Sequence, residues 1–167
     1  MWRTACCKCY PRMWEPLQRY KALNAASQRM FRRAAILLPL VRWSLRLRGY
    51  GKTYTLLQRR VSSQAPGVET RSEMREKVQV TCRMVRAAMR YSLAQFTCLE
   101  ESLTLWYLLR KQGIDACLRI GVRTENGRFE AHAWVEHGGE ALNQDEAMHR
   151  HYAAFERDFP EPPAEQP

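Results

Sequence analysis

Thr97-Cys98-Leu99-Glu100 fits S/T-x-x-E, the capping box of a helix start, and puts Cys98 at the first helical position. A thiol there feels the positive end of the helix dipole and unpaired backbone N–H groups. Both favour thiolate over thiol and suit a nucleophile. The motif by itself also fits an inert buried cysteine. The second group is His132, mid-strand in FEAHAWVEH, on the face shared with Glu130, Trp134 and Glu136. If the helix start packs against the middle of the sheet, thiol and imidazole meet, and the imidazole serves first as general base and then as general acid. A third group must orient that ring. Gly138-Gly139 reads as a two-residue hairpin loop, so residue 137 pairs with 140 and His132 stands opposite Asp145. Asn143 then faces Trp134 and Gln144 faces Ala133; a slip or bulge of one residue brings Gln144 or Asn143 to the imidazole instead. His137, His149 and His151 lie in a turn and beyond the meander and read as solvent-exposed.

The elements that must position these residues follow from periodicity. Residues 97–112 (TCLEESLTLWYLLRKQ) repeat Leu99, Leu103, Trp106 and Leu109 at helical spacing, with Leu105 and Leu108 widening the face and Gly113 placed as a C-cap. The period then falls from 3.6 to 2. Ala116, Leu118, Ile120 and Val122 alternate with polar or small residues, Asn126-Gly127 signals a hairpin, and strands at 128–137 and 140–144 complete an antiparallel meander packed on the preceding helix. Upstream, a helix over 69–91 carries Met74, Val78, Cys82 or Thr81, Val85 and Met89. Residues 17–49 are helical in composition. Pro39 should end or kink a helix there, Gly49-Tyr50-Gly51 breaks the segment, and a short helix follows over about 52–61. The expected organisation is a basic helical segment (1–62), a linker (63–68), an α+β core (69–158) and a proline-rich disordered tail (159–167).

Charge is unevenly spread. Residues 1–60 hold fourteen Lys/Arg against one acid, Glu15, for a net +13, while residues 61–167 hold thirteen against sixteen, for −3. The first third therefore suits something anionic, or is a set of solvated helix faces. No apolar run approaches the ~18–20 residues of a membrane span, and the longest, Ala34 to Val41, sits too far in for a secretory signal and has no A-x-A cleavage site after it, so the expected compartment is the cytoplasm. In a reducing compartment the six cysteines do not make a disulfide framework. Cys6, Cys7 and Cys9 are crowded but lack a following Cys or His pair at zinc spacing. No metal or cofactor is called for. There is no helix-turn-helix, RNP-like aromatic pair or phosphate loop, so nucleic acid is not an expected partner.

CLEESLTLWYLLRKQGIDACLRIGVR, followed by GRFEAHAWVEHGGEALN and HYAAFE, resembles the transglutaminase-like cysteine proteases of lasso-peptide (microcin-type) biosynthesis, over roughly residues 77–156. These enzymes remove the leader from a ribosomally made precursor peptide. The resemblance implies a transglutaminase/papain-like core, with the Cys-bearing helix packed on a small antiparallel sheet. It also implies a Cys-His-Asp triad whose first two positions fall on Cys98 and His132. The family's Asp aligns without gaps on Gln144, with Asp145 next, so either Asp145 takes the role after a local shift or Gln144 orients the ring as an amide. Backbone N–H groups at the helix start, with Gln95 as a candidate side-chain donor, would hold the oxyanion. The implied partners are the precursor peptide, a lasso cyclase that takes the freed core amine, and a winged-helix leader-recognition protein. Residues 1–60 lack the strands of such a recognition domain, so a separate protein is expected. Anionic lipid is a further option for the basic segment, since a basic amphipathic helix suits a membrane surface. Two other functions fit the same residues: a transglutaminase-type acyl transferase or amidase, and a non-enzymatic basic binding protein with a structural Cys98.

Overall fold

The computed structural model describes residues 20–61, 70–125, 128–143 and 153–154. Three helices come first: α1 (Ala25–Arg60), α2 (Arg71–Arg90) and α3 (Cys98–Arg110). Strands β1 (Cys117–Glu125), β2 (Arg128–His137), β3 (Glu140–Ala141) and β4 (Ala153–Ala154) follow. They form one antiparallel sheet in the order β3-β2-β1-β4. This is an α+β arrangement, helices first and sheet second.

α1 begins at Asn24, whose side chain accepts from the Ser27 N–H at 2.8 Å. It buries Met30, Ala34, Leu38 and Val41, a stripe at i, i+4, i+8 and i+11. Of the two outcomes expected at Pro39, an end or a kink, the structure excludes an end: the helix runs through. Pro39 and Ala35 both lie on the exposed side, so the carbonyl freed by the missing Pro39 N–H faces water. The break comes at Gly49 (φ 73°, ψ 179°), a backbone conformation open to glycine alone. Thr53 Oγ1 staples the break by donating to the Gly49 carbonyl at 2.7 Å, and the Thr53 and Ser44 hydroxyls share a bond of 2.9 Å.

α2 starts with a Thr70/Glu73 capping box and buries Val78, Thr81, Met84, Val85 and Ala88. α3 is buried nearly all round, including Ser102, Leu103, Thr104, Leu105 and Trp106, because α1, α2 and the sheet all pack on it. Its end is closed by Gly113 (φ 75°), with the Ile114 N–H returning to the Leu109 carbonyl at 3.1 Å. Val135, Ala116 and the half-buried Leu118 join the helical core, so one face of the sheet is committed to the helices.

The β2–β3 register pairs His137 with Glu140 and Glu136 with Ala141, as the Gly138-Gly139 loop requires. Both glycines have positive φ (59° and 82°), the conformation of a two-residue turn that matches strand twist. The third strand is shorter than expected and closes at Ala141. The Leu142 N–H still reaches the Val135 carbonyl at 2.8 Å, but the Val135 N–H is taken by the Asn143 side chain at 2.9 Å. A side chain there ends the ladder. β4, not foreseen, pairs Gly121 with Ala154 and Val122 with Ala153. The linker region, Cys6, Cys7, Cys9, the Asn126-Gly127 turn and the proline-rich tail lie outside the described residues.

Candidate functional site

Cys98 is the first residue of α3, and Thr97 is its N-cap. Thr97 Oγ1 accepts from the Glu100 N–H at 3.3 Å, and Glu100 Oε2 accepts from the Thr97 N–H at 2.8 Å. The Glu101 N–H returns to the Thr97 carbonyl at 3.0 Å. The N–H groups of Cys98 and Leu99 are the ones this capping arrangement does not take up, and they sit at the positive end of the helix. Two donors at a half-buried thiol are the ingredients of an oxyanion site.

Arg42, from the middle of α1, holds the segment that carries this thiol. Its guanidinium donates to the Gln95 carbonyl at 2.8 Å and stands 5.5 Å from the Phe96 ring centroid. It also lies 3.6 Å from Glu100 Oε1. Glu100 is only 6% exposed, so its carboxylate is a buried charge divided between a backbone N–H and one arginine. Gln95, the candidate oxyanion donor, is exposed and meets Arg42 through its backbone carbonyl.

One turn further along α3, the buried Ser102 Oγ donates to the Ala133 carbonyl at 2.9 Å and accepts from Asn143 Nδ2 at 2.9 Å. Together with the Asn143–Val135 bond this closes the β2 edge that β3 leaves open. Ser102 of α3 therefore meets β2 at its backbone edge. Cys98 and Ser102 share one side of α3, separated by about 6 Å along the axis. The strand residue bonded to Ser102 directly follows His132.

His132 is half-buried, with its Nε2 atom fully enclosed. It lies opposite Gly121, which has no side chain to crowd the imidazole from β1. The ring stacks near Trp134, centroids 6.3 Å apart and planes inclined by 12°. Trp134 is fully buried, and its indole N–H donates to Glu136 Oε1 at 2.8 Å. Glu136 in turn accepts from Arg119 Nε at 3.0 Å. Strand alternation puts His132, Trp134 and Glu136 on the face opposite Val135. Gln144, Asp145, His149 and His151 lie outside the described residues. His137, expected in solvent, is instead half-buried, with Nδ1 2.6 Å from the Asp115 carbonyl.

A second thiol, Cys82 on α2, differs in kind. Burial pushes it up to about 11, only partly offset by Arg86, so it stays protonated near neutrality. Burial also raises the neighbouring Glu101 carboxyl, against the pull of Arg86. Among the described residues no group of three His, Cys, Asp or Glu is arranged to hold a metal. No described helix is long and apolar enough to cross a membrane.

The Transglutaminase-like superfamily model matches residues 37–157, and the chain belongs to that superfamily. At the level of individual proteins it is similar to the Microcin J25-processing protein McjB of Escherichia coli, 25% identical over 114 residues. That similarity covers 68% of this chain and 52% of McjB, so the matched segment spans about half the length of that relative. No solved structure matches the chain significantly. The matched superfamily region starts within α1 and thus includes Arg42.

Proposed function

We propose that this chain is a cysteine peptidase of lasso-peptide biosynthesis that cuts the leader from a ribosomal precursor. The observation that carries the reading is the placement of Cys98 at a capped helix start whose next turn is bonded to β2 beside His132. Family membership and the similarity to a microcin-processing protein support it.

In this mechanism His132 takes the Cys98 thiol proton, and the sulfur adds to the carbonyl carbon of the leader–core bond. The oxyanion is held by the N–H groups of Cys98 and Leu99. As the C–N bond breaks, the imidazolium returns its proton to the departing core amine, leaving a leader thioester. Water, deprotonated by His132, hydrolyses that thioester and regenerates the thiol. Asp145 or Gln144 orients the imidazole. The freed amine passes to a lasso cyclase, and a separate winged-helix protein presents the leader.

The test is cleavage of a precursor peptide by the purified chain together with that recognition protein. Cleavage at a single bond, abolished by Cys98→Ala and by His132→Ala with unchanged circular dichroism, is the expected outcome. Full turnover by Cys98→Ala sinks the assignment. Comparing Asp145→Ala with Gln144→Ala identifies the third member.

A further inference from the structure

α1 carries two apolar stripes. The inner one is in the core. The outer one consists of Ile36, Leu40, Trp43 and Leu47, which are 63%, 59%, 62% and 74% exposed. At about 100° per residue these four fall within an arc of roughly 60° and span about 16 Å along the axis. On the same projection Arg32 and Arg46 lie on one flank of the stripe and Arg33 and Arg48 on the other, all exposed, while Arg29 extends it toward the helix start. Ala35 and Pro39 are the remaining exposed residues between 29 and 48. This surface therefore offers guanidinium donors and hydrocarbon, and no acceptor side chain. The whole of α1 contains nine Lys/Arg and no Asp or Glu.

We infer that the outer face of α1 docks on an anionic phospholipid surface. Phosphate headgroups supply the missing acceptors, and the acyl boundary takes the four apolar side chains. Tryptophan suits that boundary, and long arginine side chains reach from an apolar depth to the phosphates. A nucleic acid would satisfy the arginines but offers nothing for a Leu/Ile stripe. A protein partner would have to bring separate acidic groups to arginines on both flanks of one apolar stripe, whereas an anionic leaflet offers phosphates and hydrocarbon along the whole length of the face. Such a helix lies in the interface and does not cross it, in keeping with its charge.

The test is co-sedimentation of the full chain with vesicles of phosphatidylcholine containing roughly a quarter phosphatidylglycerol, at about 0.1 M salt, against phosphatidylcholine alone. Binding to the anionic vesicles only, weakening several-fold at about 0.5 M salt, is expected. Trp emission should shift to the blue on binding, and Trp43→Phe should remove most of that shift. The doubly substituted Leu40→Glu/Leu47→Glu should lose affinity by at least about tenfold, and Arg32→Gln/Arg33→Gln by a comparable factor. These positions are exposed, so melting should be unchanged. Failure to sediment with anionic vesicles overturns the inference, as does binding that Leu40→Glu/Leu47→Glu leaves intact. A chain that ignores vesicles yet forms a stoichiometric complex with an acidic protein, broken by the same substitutions, overturns the lipid assignment in favour of a protein one. Cys98→Ala should bind vesicles like the unaltered chain, so this result and the peptidase reading stand or fall separately.

Discussion

Arg42→Met removes one side chain that touches three parts of the Cys98 segment. The stem of the side chain is kept, so packing against Phe96 survives in part while the charge and the fork are lost. The largest cost falls on Glu100, whose side chain is 8% exposed against 23% for Arg42. Removing one partner of a buried pair costs about 3–5 kcal/mol, because the other charge stays behind unpaired. Glu100 keeps its bond to the Thr97 N–H, and the 3.6 Å approach to Arg42 is longer than a tight ion pair, so the cost falls at or below the bottom of that range, about 2–3 kcal/mol. Losing the exposed bond to the Gln95 carbonyl adds about 0.5–1 kcal/mol. For a chain of this size, about 3 kcal/mol lowers Tm by roughly 6–12 °C. Thermal melting followed by circular dichroism reads this directly. Arg42→Lys should recover part of the loss by restoring charge near Glu100, but a lysine cannot reproduce the planar fork over Phe96 and toward Gln95. A double-mutant cycle with Glu100→Gln should return a coupling of about 1–2 kcal/mol. If Arg42→Met melts within about 1 °C of the unaltered chain, the clamp contributes nothing and the reasoning fails.

Thr97→Ala removes the N-cap of α3 and should cost about 1 kcal/mol, a fall of roughly 2–4 °C in Tm, along with slower precursor cleavage. Ser102→Ala leaves the Ala133 carbonyl and the Asn143 amide without their shared hydroxyl in a buried place. A loss of about 1–3 kcal/mol is expected, and cleavage should fall by more than in a surface control such as Ser92→Ala. Cys82 gives an alkaline signature. Its folded thiol titrates at about 11, above the ordinary ~8.5 of an unfolded chain. Between those values the unfolded state binds fewer protons, so stability should fall as pH rises from about 9 to about 11, by up to about 2 kcal/mol. Urea titrations across that range should show the decline, and Cys82→Ala should remove its onset below about pH 10; above that the half-buried Tyr50 hydroxyl, pushed up to about 12 by burial, adds a decline of the same sign.

Local codes explain what was readable beforehand. The Thr97–Glu100 capping box, the switch of period after Gly113 and the Gly138-Gly139 turn are each written in a handful of neighbouring residues. The start of α3, the extent of β2 and its pairing to Glu140 and Ala141 followed from them. The superfamily was legible in the Cys98 and His132 segments together. What escaped depends on partners far apart in sequence. Nothing in a run of fourteen cations singles out Arg42, because its role comes from the approach of Gln95 and Glu100, more than fifty positions away. Ser102 and Asn143 look like ordinary polar residues until β3 ends early and leaves a strand edge to be satisfied. β4 contributes two alanines, too short a stretch for any alternation to register. Pro39 did not end the helix because the stripe Met30, Ala34, Leu38 and Val41 buries continuously across it, and that tertiary packing outweighs the local penalty of an interior proline.

Residues 41, 42 and 43 point in three directions: Val41 into the core, Arg42 to the Cys98 segment and Trp43 outward. One rod thus indexes three surroundings by angle alone. Inserting or deleting a single residue between Met30 and Leu40 would rotate everything beyond it by about 100°, removing the Val41 plug, the Arg42 clamp and the outward stripe in one step. Length variation in this stretch should therefore be tolerated only in multiples that restore the helical phase, however freely its individual exposed residues are exchanged.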